Sequence, residues 1–415
     1  MKTTTMDEAL DALRAALPDG GRVFVPGCAG EPLPFAEALA RRPGAAAGLT
    51  FEGVWIPGVN RTDWAGIHPD ARAEAIFLAP EWRDSFEEAR LSFSPLTYTQ
   101  TWRRLSERRF DAGVFAVAPP GADGNCSLGV AADFSPAVFG ATRLRIGWIN
   151  PAMPTVRDGP VVPLEAFDIV VETDRPLPGY GAGEIDPVSA DIANRISALI
   201  PDGATIQTGL GKIGIATLAA LKDRRGLRLH SGMVTEPLLD LLDRDAVEAV
   251  TTGVALGSPA LYARVAHDPR VRFRPVGETH GVATLAALPR FVAVNSAIEV
   301  DLFGQVNAEW RDGRQVSGAG GLVDFVRGAW ANEGGVPIIA LPAATKGDTV
   351  SRILPRLPDP PSIGRADPAV VVTEHGVADL RGLSLEARAQ ALIAVAAPSH
   401  RDRLDADWSA MRRAM

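Results

Sequence analysis

The sequence predicts an α/β protein of two domains with mainly parallel sheets. Apolar runs rich in Val, Ile and Phe alternate with Ala- and Leu-rich amphipathic stretches, and the alternation pauses in a Pro- and Gly-rich segment, RPLPGYGAGEIDP, at residues 175–187. Short runs of β-branched and aromatic residues suit strands buried on both faces, and helices crossing over between such strands make them parallel. Length is the third observation: 415 residues can bury two cores of ordinary size. The Pro- and Gly-rich segment leaves little room for a regular element, so the domains are expected at residues 1–180 and 187–415.

In chain order, GRVFVPG reads as a strand, EPLPFAEALARR as a helix, and DAGVFAVAPP, LRIGWINP and FDIVVET as strands. Beyond the pause, DIANRISALIPDG is a helix, ATIQTG a strand, IGIATLAALKD a helix, and LRLHSG a strand expected to break at Ser231 and Gly232. AVEAVTTG, PRFVAVNSAIEVDL, VPIIALP and AVVVTE supply further strands. No clear internal repeat relates the two halves. The Pro-rich stretch LPRLPDPPS, residues 354–362, reads as a surface turn rather than a recognition motif.

Composition narrows the function. Fifty acidic against 42 basic side chains give a net charge of -8, which favours solubility and offers no broad basic surface to a nucleic-acid backbone. No stretch is long and apolar enough to cross a bilayer, and MKTTTMDEAL lacks the basic-then-apolar pattern of a leader. A soluble cytoplasmic protein without nucleic-acid or membrane partners is expected. Cys28 and Cys126 lie far apart, without CxxC spacing or a nearby His pair, so both read as reduced packing residues and no metal site is expected.

Two glycine clusters carry the chemistry. QTGLGKIG spells GxGxxG at Gly209, Gly211 and Gly214, between a strand and a helix. Glycines let backbone approach a ligand closely, and free N–H groups at a helix start favour an anion; the structural alternative is a tight turn with no ligand. A dinucleotide-binding domain would end the next strand in Asp or Glu, whereas this one ends His230, Ser231, Gly232, so a nicotinamide cofactor is disfavoured. The second cluster, SGAGG from Ser317, must be a loop. Beyond it, LPAATKGDTVSRI sets Lys346 just after a buried strand, where a flexible ammonium can meet a phosphate or carboxylate, or simply remain a solvated charge.

With GCAGEP, APPGADGNCSLG and INPAMP in the first half, and QTGLGKIG, NSAIEVDLFGQVNAE, SGAGGLVDFVRGA, ALPAATKGDTVSRI and VVTEHGVADLRGLSLEARAQALI in the second, the sequence resembles the acetyl-CoA hydrolase/transferase family along nearly its whole length. The resemblance implies two CoA-transferase-like α/β domains with the active site in the cleft between them, the second domain carrying the CoA site, and a homodimer. It also implies coenzyme A or an acyl-CoA as substrate, a small carboxylate as acceptor, and no tightly bound cofactor. In the family's transferases a glutamate attacks the acyl-CoA carbonyl, giving an acyl-glutamyl anhydride and then a glutamyl-CoA thioester that a carboxylate resolves; one hard exchange becomes two easier ones. By similarity Gln207, Thr208, Gly209, Leu210, Gly211, Ile298, Ser317, Gly321 and Lys346 line the CoA site, and glycine-loop N–H groups hold the developing oxyanion.

At one place the sequence departs from that pattern. The family's nucleophile stands in a His-Ser/Thr-Glu-Met motif that here reads His230, Ser231, Gly232, Met233. Glycine has no atom able to form the covalent intermediate. Thr155 follows MP where the family usually has His, and Trp310 follows NAE where a small residue is usual. Three readings stay open. Glu236, Glu278 or Glu374 supplies the nucleophile or base, each with an alternative as a surface charge, an ion pair or a helix-end partner. Or the site hydrolyses a thioester with water activated by one of these or by His230, whose alternative is a packed strand residue. Or the protein binds an acyl-CoA without turnover. Transfer is the expected activity, with hydrolysis its competitor. Trp310, Phe303 and Trp330 hint at an apolar acyl pocket or belong to the core.

Overall fold

The computed structural model describes residues 4–181 and 183–415. Its first nine strands are β1 Gly21–Phe24, β2 Leu49–Glu52, β3 Arg72–Ala75, β4 Leu91–Phe93, β5 Phe110–Val117, β6 Asn125–Ser127, β7 Thr142–Ile149, β8 Val161–Pro163 and β9 Ile169–Glu172. Seven of them form one sheet of order β4-β3-β2-β1-β5-β7-β9. Every pairing in it is parallel. Strands β6 and β8 form a separate antiparallel pair. The order reverses at β1, which pairs with β2 on one side and β5 on the other. At such a reversal the loops leaving neighbouring strands turn to opposite faces, and a crevice opens at the carboxyl ends.

The long apolar strands β5 and β7 follow the sequence pattern. The shorter β2, β3 and β4 were not anticipated, because LTFE and RAEA mix charges into the run. Those charges are neutralised together. Glu52, 2% exposed, and Glu74 receive Arg22 at 2.7 and 2.8 Å, Arg104 at 2.7 and 2.9 Å, and Arg108 at 2.7 and 2.6 Å. Several charge-assisted bonds to each carboxylate offset the cost of taking it out of water. Phe51, Trp55, Trp64 and Trp82 fill the adjoining core, with Phe51 and Trp64 5.3 Å apart.

The later strands are β10 Thr205–Thr208, β11 Leu227–Val234, β12 Val247–Ala255, β13 Val271–Phe273, β14 Phe291–Ser296, β15 Glu299–Asp301, β16 Val306–Asn307, β17 Trp310–Arg311, β18 Arg314–Gln315, β19 Val336–Ala340, β20 Ile353–Leu354, β21 Val370–Thr373 and β22 Gly376–Asp379. The second sheet has the order β13-β12-β11-β10-β14-β19-β21-β22 and reverses at β10. β10 pairs in parallel with β11 and with β14, whereas β22 closes the edge as an antiparallel hairpin on β21. β15, β16 and β20 make a small third sheet, and β17–β18 a hairpin. β11 corrects one expectation: it continues unbroken through Ser231 and Gly232 to Val234. A glycine lacks a side chain to pack, but here it stays within regular strand geometry.

Contacts divide the chain into two compact units. The first comprises Met1–Tyr180, Gly232–Glu236 and Thr251–Thr279; the second comprises Gly181–Ser231, Pro237–Val250 and His280–Met415. The first division falls at residues 180–181, in the Pro- and Gly-rich segment, and two later segments also make their contacts with the first unit. Among the described residues no helix is long and apolar enough to cross a membrane.

Candidate functional site

In the second unit the glycine loop leaves β10 at the strand-order reversal. Buried Gln207 and Asn295, on β10 and β14, exchange amide hydrogen bonds: Gln207 Nε2 donates to Asn295 Oδ1 at 3.3 Å, and Asn295 Nδ2 to Gln207 Oε1 at 3.1 Å. The pair locks the two strand ends side by side. The three glycines of the loop differ in what they are for. Gly211 sits at φ 106°, where a side chain is strained, and a Cβ on Gly214 would lie 2.2 Å from the Gly209 carbonyl oxygen. The fold thus demands both. A Cβ on Gly209 would make only ordinary contacts, 3.7 Å from Asn295 Oδ1 and 3.9 Å from the Val294 carbonyl oxygen. Nothing in the protein's own packing requires glycine there, so the space it leaves is open to a ligand.

Two helices begin beside glycines with no side-chain cap: Lys212–Ala220 after Gly211, and Leu322–Ala331 after Gly321. Uncapped N–H groups and the helix dipole both favour an anion. Thr208, Leu210, Ile298 and Ser317 are partly exposed. The Ser317 carbonyl accepts from Gln315 Nε2 at 2.8 Å, and that amide also donates to the buried Glu309 at 3.0 Å. Lys346 is exposed and forms no ion pair among the described residues. Gly321 is compelled by His280: a Cβ would come within 2.6 Å of its Nε2. His280 is fully buried, 4.5 Å from the Phe325 ring. Burial, and then His230, push its pKa down to about 3, so it is neutral. His230 is itself buried on β11.

The three sequence candidates for a carboxylate occupy different settings. Glu236 accepts the backbone N–H of Ser258 at 3.0 Å and its hydroxyl at 2.7 Å; Ser258 in turn caps the helix Pro259–His267. Glu278 is exposed and 3.6 Å from Arg274, which also holds Asp158 at 2.7 Å. Glu374 follows β21 and accepts the Ala343 N–H at 2.9 and 3.2 Å, with His375 3.8 Å away. Of the aromatic residues, Phe303 is core, its ring 5.8 Å from Trp408, and Trp330 is 42% exposed with its indole N–H on the Pro368 carbonyl. Trp310 opens the β17–β18 hairpin.

A fourth carboxyl, missed in the sequence, lies in the first unit beside Gly232. A Cβ on Gly253 would lie 3.2 Å from the Gly232 carbonyl oxygen and 3.4 Å from Asp133 Cβ, so Asp133 is about one residue's width from Gly232. Asp133 is 6% exposed; Oδ1 accepts the Phe134 N–H at 2.8 Å, and its carbonyl oxygen accepts the Val276 N–H at 3.0 Å. Burial pushes the carboxyl up to about 6, against the opposing bonds from the Phe134 N–H and its own backbone N–H. Cys28 shares its field: the buried thiol is pushed up by burial, then by Asp133 and Glu31. Cys28 follows β1 at φ 50°, held where its N–H donates to Asn60 Oδ1 at 3.0 Å. Asn60 also donates to Glu31 Oε2 at 2.8 Å. The sequence signal for Asp133 was an acid inside the apolar stretch VAADFSPAVF; Gly253 and Val276, which give it meaning, lie more than a hundred residues away.

A sequence profile described as the acetyl-CoA hydrolase/transferase C-terminal domain matches residues 257–408. The 4-hydroxybutyrate coenzyme A transferase of Clostridium kluyveri is 30% identical over 97% of this chain and 96% of its own. Among solved structures, RipA from Yersinia pestis superposes with a TM-score of 0.91 at 29% identity, covering 99% of this chain and 98% of RipA. A 4-hydroxybutyrate CoA-transferase from Porphyromonas gingivalis superposes with a TM-score of 0.81 at 26% identity, covering 100% and 98%.

Proposed function

The chain belongs to the acetyl-CoA hydrolase/transferase family, and we propose that it moves CoA between an acyl-CoA and a short carboxylic acid. It is an acyl-CoA-processing enzyme of the CoA-transferase kind. The observation that carries the reading is Gly209, whose missing side chain the fold does not require, set between a locked pair of strand ends and an uncapped helix start. A phosphate of CoA meets the N–H groups of residues 208–211 and the helix Lys212–Ala220. Lys346 adds a mobile cation; Ile298, Ser317 and Gly321 shape the remaining wall.

Transfer needs a carboxylate to attack the thioester, and Gly232 offers none. Asp133 is the carboxyl nearest in kind and place, ionised at neutral pH with an affinity for protons raised enough to favour nucleophilic or basic work. In the transfer reading, an Asp133 oxygen bonds to the acyl carbon as the carbon–sulfur bond breaks and CoA thiolate leaves. The thiolate attacks the aspartyl carbonyl of the resulting anhydride and releases the first acid. The acceptor carboxylate then displaces thiolate from the aspartyl thioester, and the thiolate takes the new acyl group, freeing Asp133. No proton is gained or lost over the cycle. A second reading, hydrolysis, is favoured by the missing side chain at 232: Asp133 removes a proton from water as the water oxygen attacks the thioester, giving the acid and CoA thiol.

The test is incubation with a panel of acyl-CoAs, with and without carboxylic acids, following free thiol and new thioester separately. New thioester without free thiol supports transfer; free thiol without acceptor supports hydrolysis; neither overturns both. Trapping with hydroxylamine or borohydride and mapping by mass spectrometry identifies the residue. A label on Glu236, Glu278 or Glu374 would remove Asp133 from the role. The homodimer implied by the resemblance belongs to this reading and is checked by sedimentation equilibrium.

A further inference from the structure

Lys346 rides on a loop whose base and tip are held in different ways. The loop runs from Ala343 to Arg352, between β19 and β20. Its base is paired and buried: the Arg352 N–H donates to the Ala343 carbonyl at 2.9 Å, Ala344 bridges to Ser351, and Ala343 and Ala344 are both buried. The Thr345 N–H donates to the Val350 carbonyl at 2.8 Å, and the Val350 N–H returns to Thr345 Oγ1 at 3.1 Å. Beyond these bonds the tip has no core to rest on. Residues 346–350 are all exposed, and Gly347 and Asp348 stand at φ 80° and 55°. A non-glycine residue keeps that conformation when its surroundings hold it there. Among the described residues, one hydrogen bond from outside the loop reaches this tip: His400 Nε2 lies 2.9 Å from the Asp348 carbonyl oxygen. A carbonyl only accepts, so Nε2 carries the proton and the imidazole donates.

The platform under His400 is firm. Ala397 packs with Ala343 and Ala344 in one buried cluster, so the chain at 397–400 meets the loop at both base and tip. The His400 N–H bonds to the Ala397 carbonyl at 2.9 Å and Arg401 Nε to the Ala396 carbonyl at 2.9 Å, while the helix Arg401–Arg413 that follows is seated in the core by Leu404 and Trp408. His400 occupies the N-cap of that helix, yet its ring makes no capping bond and reaches the loop instead. We propose that His400 is a positioning residue for Lys346: by fixing the Asp348 carbonyl it holds the tip in the conformation that presents the Lys346 ammonium to a phosphate of CoA. The inference rests on the reading of Lys346 as a phosphate contact. A flexible side chain on an untethered tip loses the freedom of both when it binds, and a tether removes the loop's share of that loss beforehand. His400 thereby raises CoA affinity through Lys346 rather than through a contact of its own.

The test uses the full chain with CoA as the probe. His400→Phe keeps a ring and removes the donor; His400→Gln restores an N–H at similar reach. Calorimetry should show CoA binding weakened about threefold by His400→Phe, a loss that vanishes at high salt because it passes through an exposed charge. His400→Gln should return most of the affinity, and in a Lys346→Ala background His400→Phe should cost nothing further. Hydrogen exchange read by mass spectrometry on the free protein reports the tether separately: amides 346–350 should exchange roughly fivefold faster in His400→Phe. Unchanged exchange overturns the tether. Unchanged CoA affinity in His400→Phe, a loss that persists in the Lys346→Ala background, or one that His400→Gln does not relieve overturns the route through Lys346. If Lys346→Ala leaves CoA affinity as it was, the phosphate contact itself fails and the role of His400 goes with it, whatever the exchange shows. CoA exchange by the parent protein would leave the proposed function standing in each of these cases.

Discussion

The two strand-order reversals, at β1 in the first sheet and β10 in the second, have the same topology and opposite chemistry. The crevice after β1 has mostly apolar walls and one buried acid, Glu31; a second buried acid, Asp133, shares the field of the neighbouring Cys28. The loop after β10 is partly exposed, built from glycines and backbone N–H groups, with the amides of Gln207 and Asn295 beneath it. Parallel topology supplies the crevice in both cases; the residues at the strand ends decide what can enter it. A diphosphate needs donors and room, which glycines give. A small apolar group needs enclosure and only one or two directed polar groups.

The comparison extends to pH, and there it can be broken with variants. The largest effect is expected at His280. Its folded pKa of about 3 lies below the ordinary imidazole value, so as pH falls from about 6.5 the unfolded chain binds a proton the folded chain refuses. Stability contributed by neutral His280 is full above about 6.5 and is lost towards pH 3, by up to about 4 kcal/mol. His280→Gln should flatten that slope in urea melts taken across pH; an unchanged slope would mean the buried ring is not the cause. Asp133 acts in the opposite direction. Its folded pKa of about 6 exceeds the ordinary value near 3.9, so stability falls as pH rises through that window. Above pH 6 the loss reaches about 3 kcal/mol, and Asp133→Asn should recover it there while matching the parent below about pH 4. If Asp133 serves the chemistry, the same variant loses turnover, so the stabilised protein would be the inactive one.

Gly214→Ala sharpens the comparison on the second side. Its Cβ would strike the Gly209 carbonyl, so the loop must move; a destabilisation of about 1–3 kcal/mol is expected, with CoA affinity down more than tenfold. The smallest effect belongs to Lys346→Ala. An exposed ammonium contributes about 0.5–1 kcal/mol, so CoA affinity should fall a few-fold and the loss should vanish at high salt.

What the sequence made legible follows the same division. Strands β5, β14 and β19 announce themselves because nearly every residue in them is buried and most are apolar. β2 and β3 do not, since Glu52 and Glu74 make sense only once Arg22, Arg104 and Arg108 arrive from other elements. The glycine loop is a local motif and was visible as spelling, although only geometry separated Gly209 from Gly211 and Gly214. Asp133 and Glu31 were invisible as a group, because a buried acid is defined by neighbours brought from afar. The break expected at Gly232 failed for a related reason: the flanking strand pairings, not the residue's own freedom, set its backbone.

The discontinuous first unit has a consequence for the order in which the chain is made. Residues 1–180 emerge first from the ribosome, but the unit also includes Gly232–Glu236 and Thr251–Thr279. Its last contacts therefore wait until roughly a hundred further residues have been synthesised, which takes about 5–20 s at ordinary translation speeds. Throughout that interval Asp133 lacks Gly253 and Val276, and the surface they cover faces solvent. The nascent first half is thus an incomplete fold with an exposed seam, and any slowing of translation between residues 180 and 279 lengthens the time that seam stands open to chaperones or to aggregation.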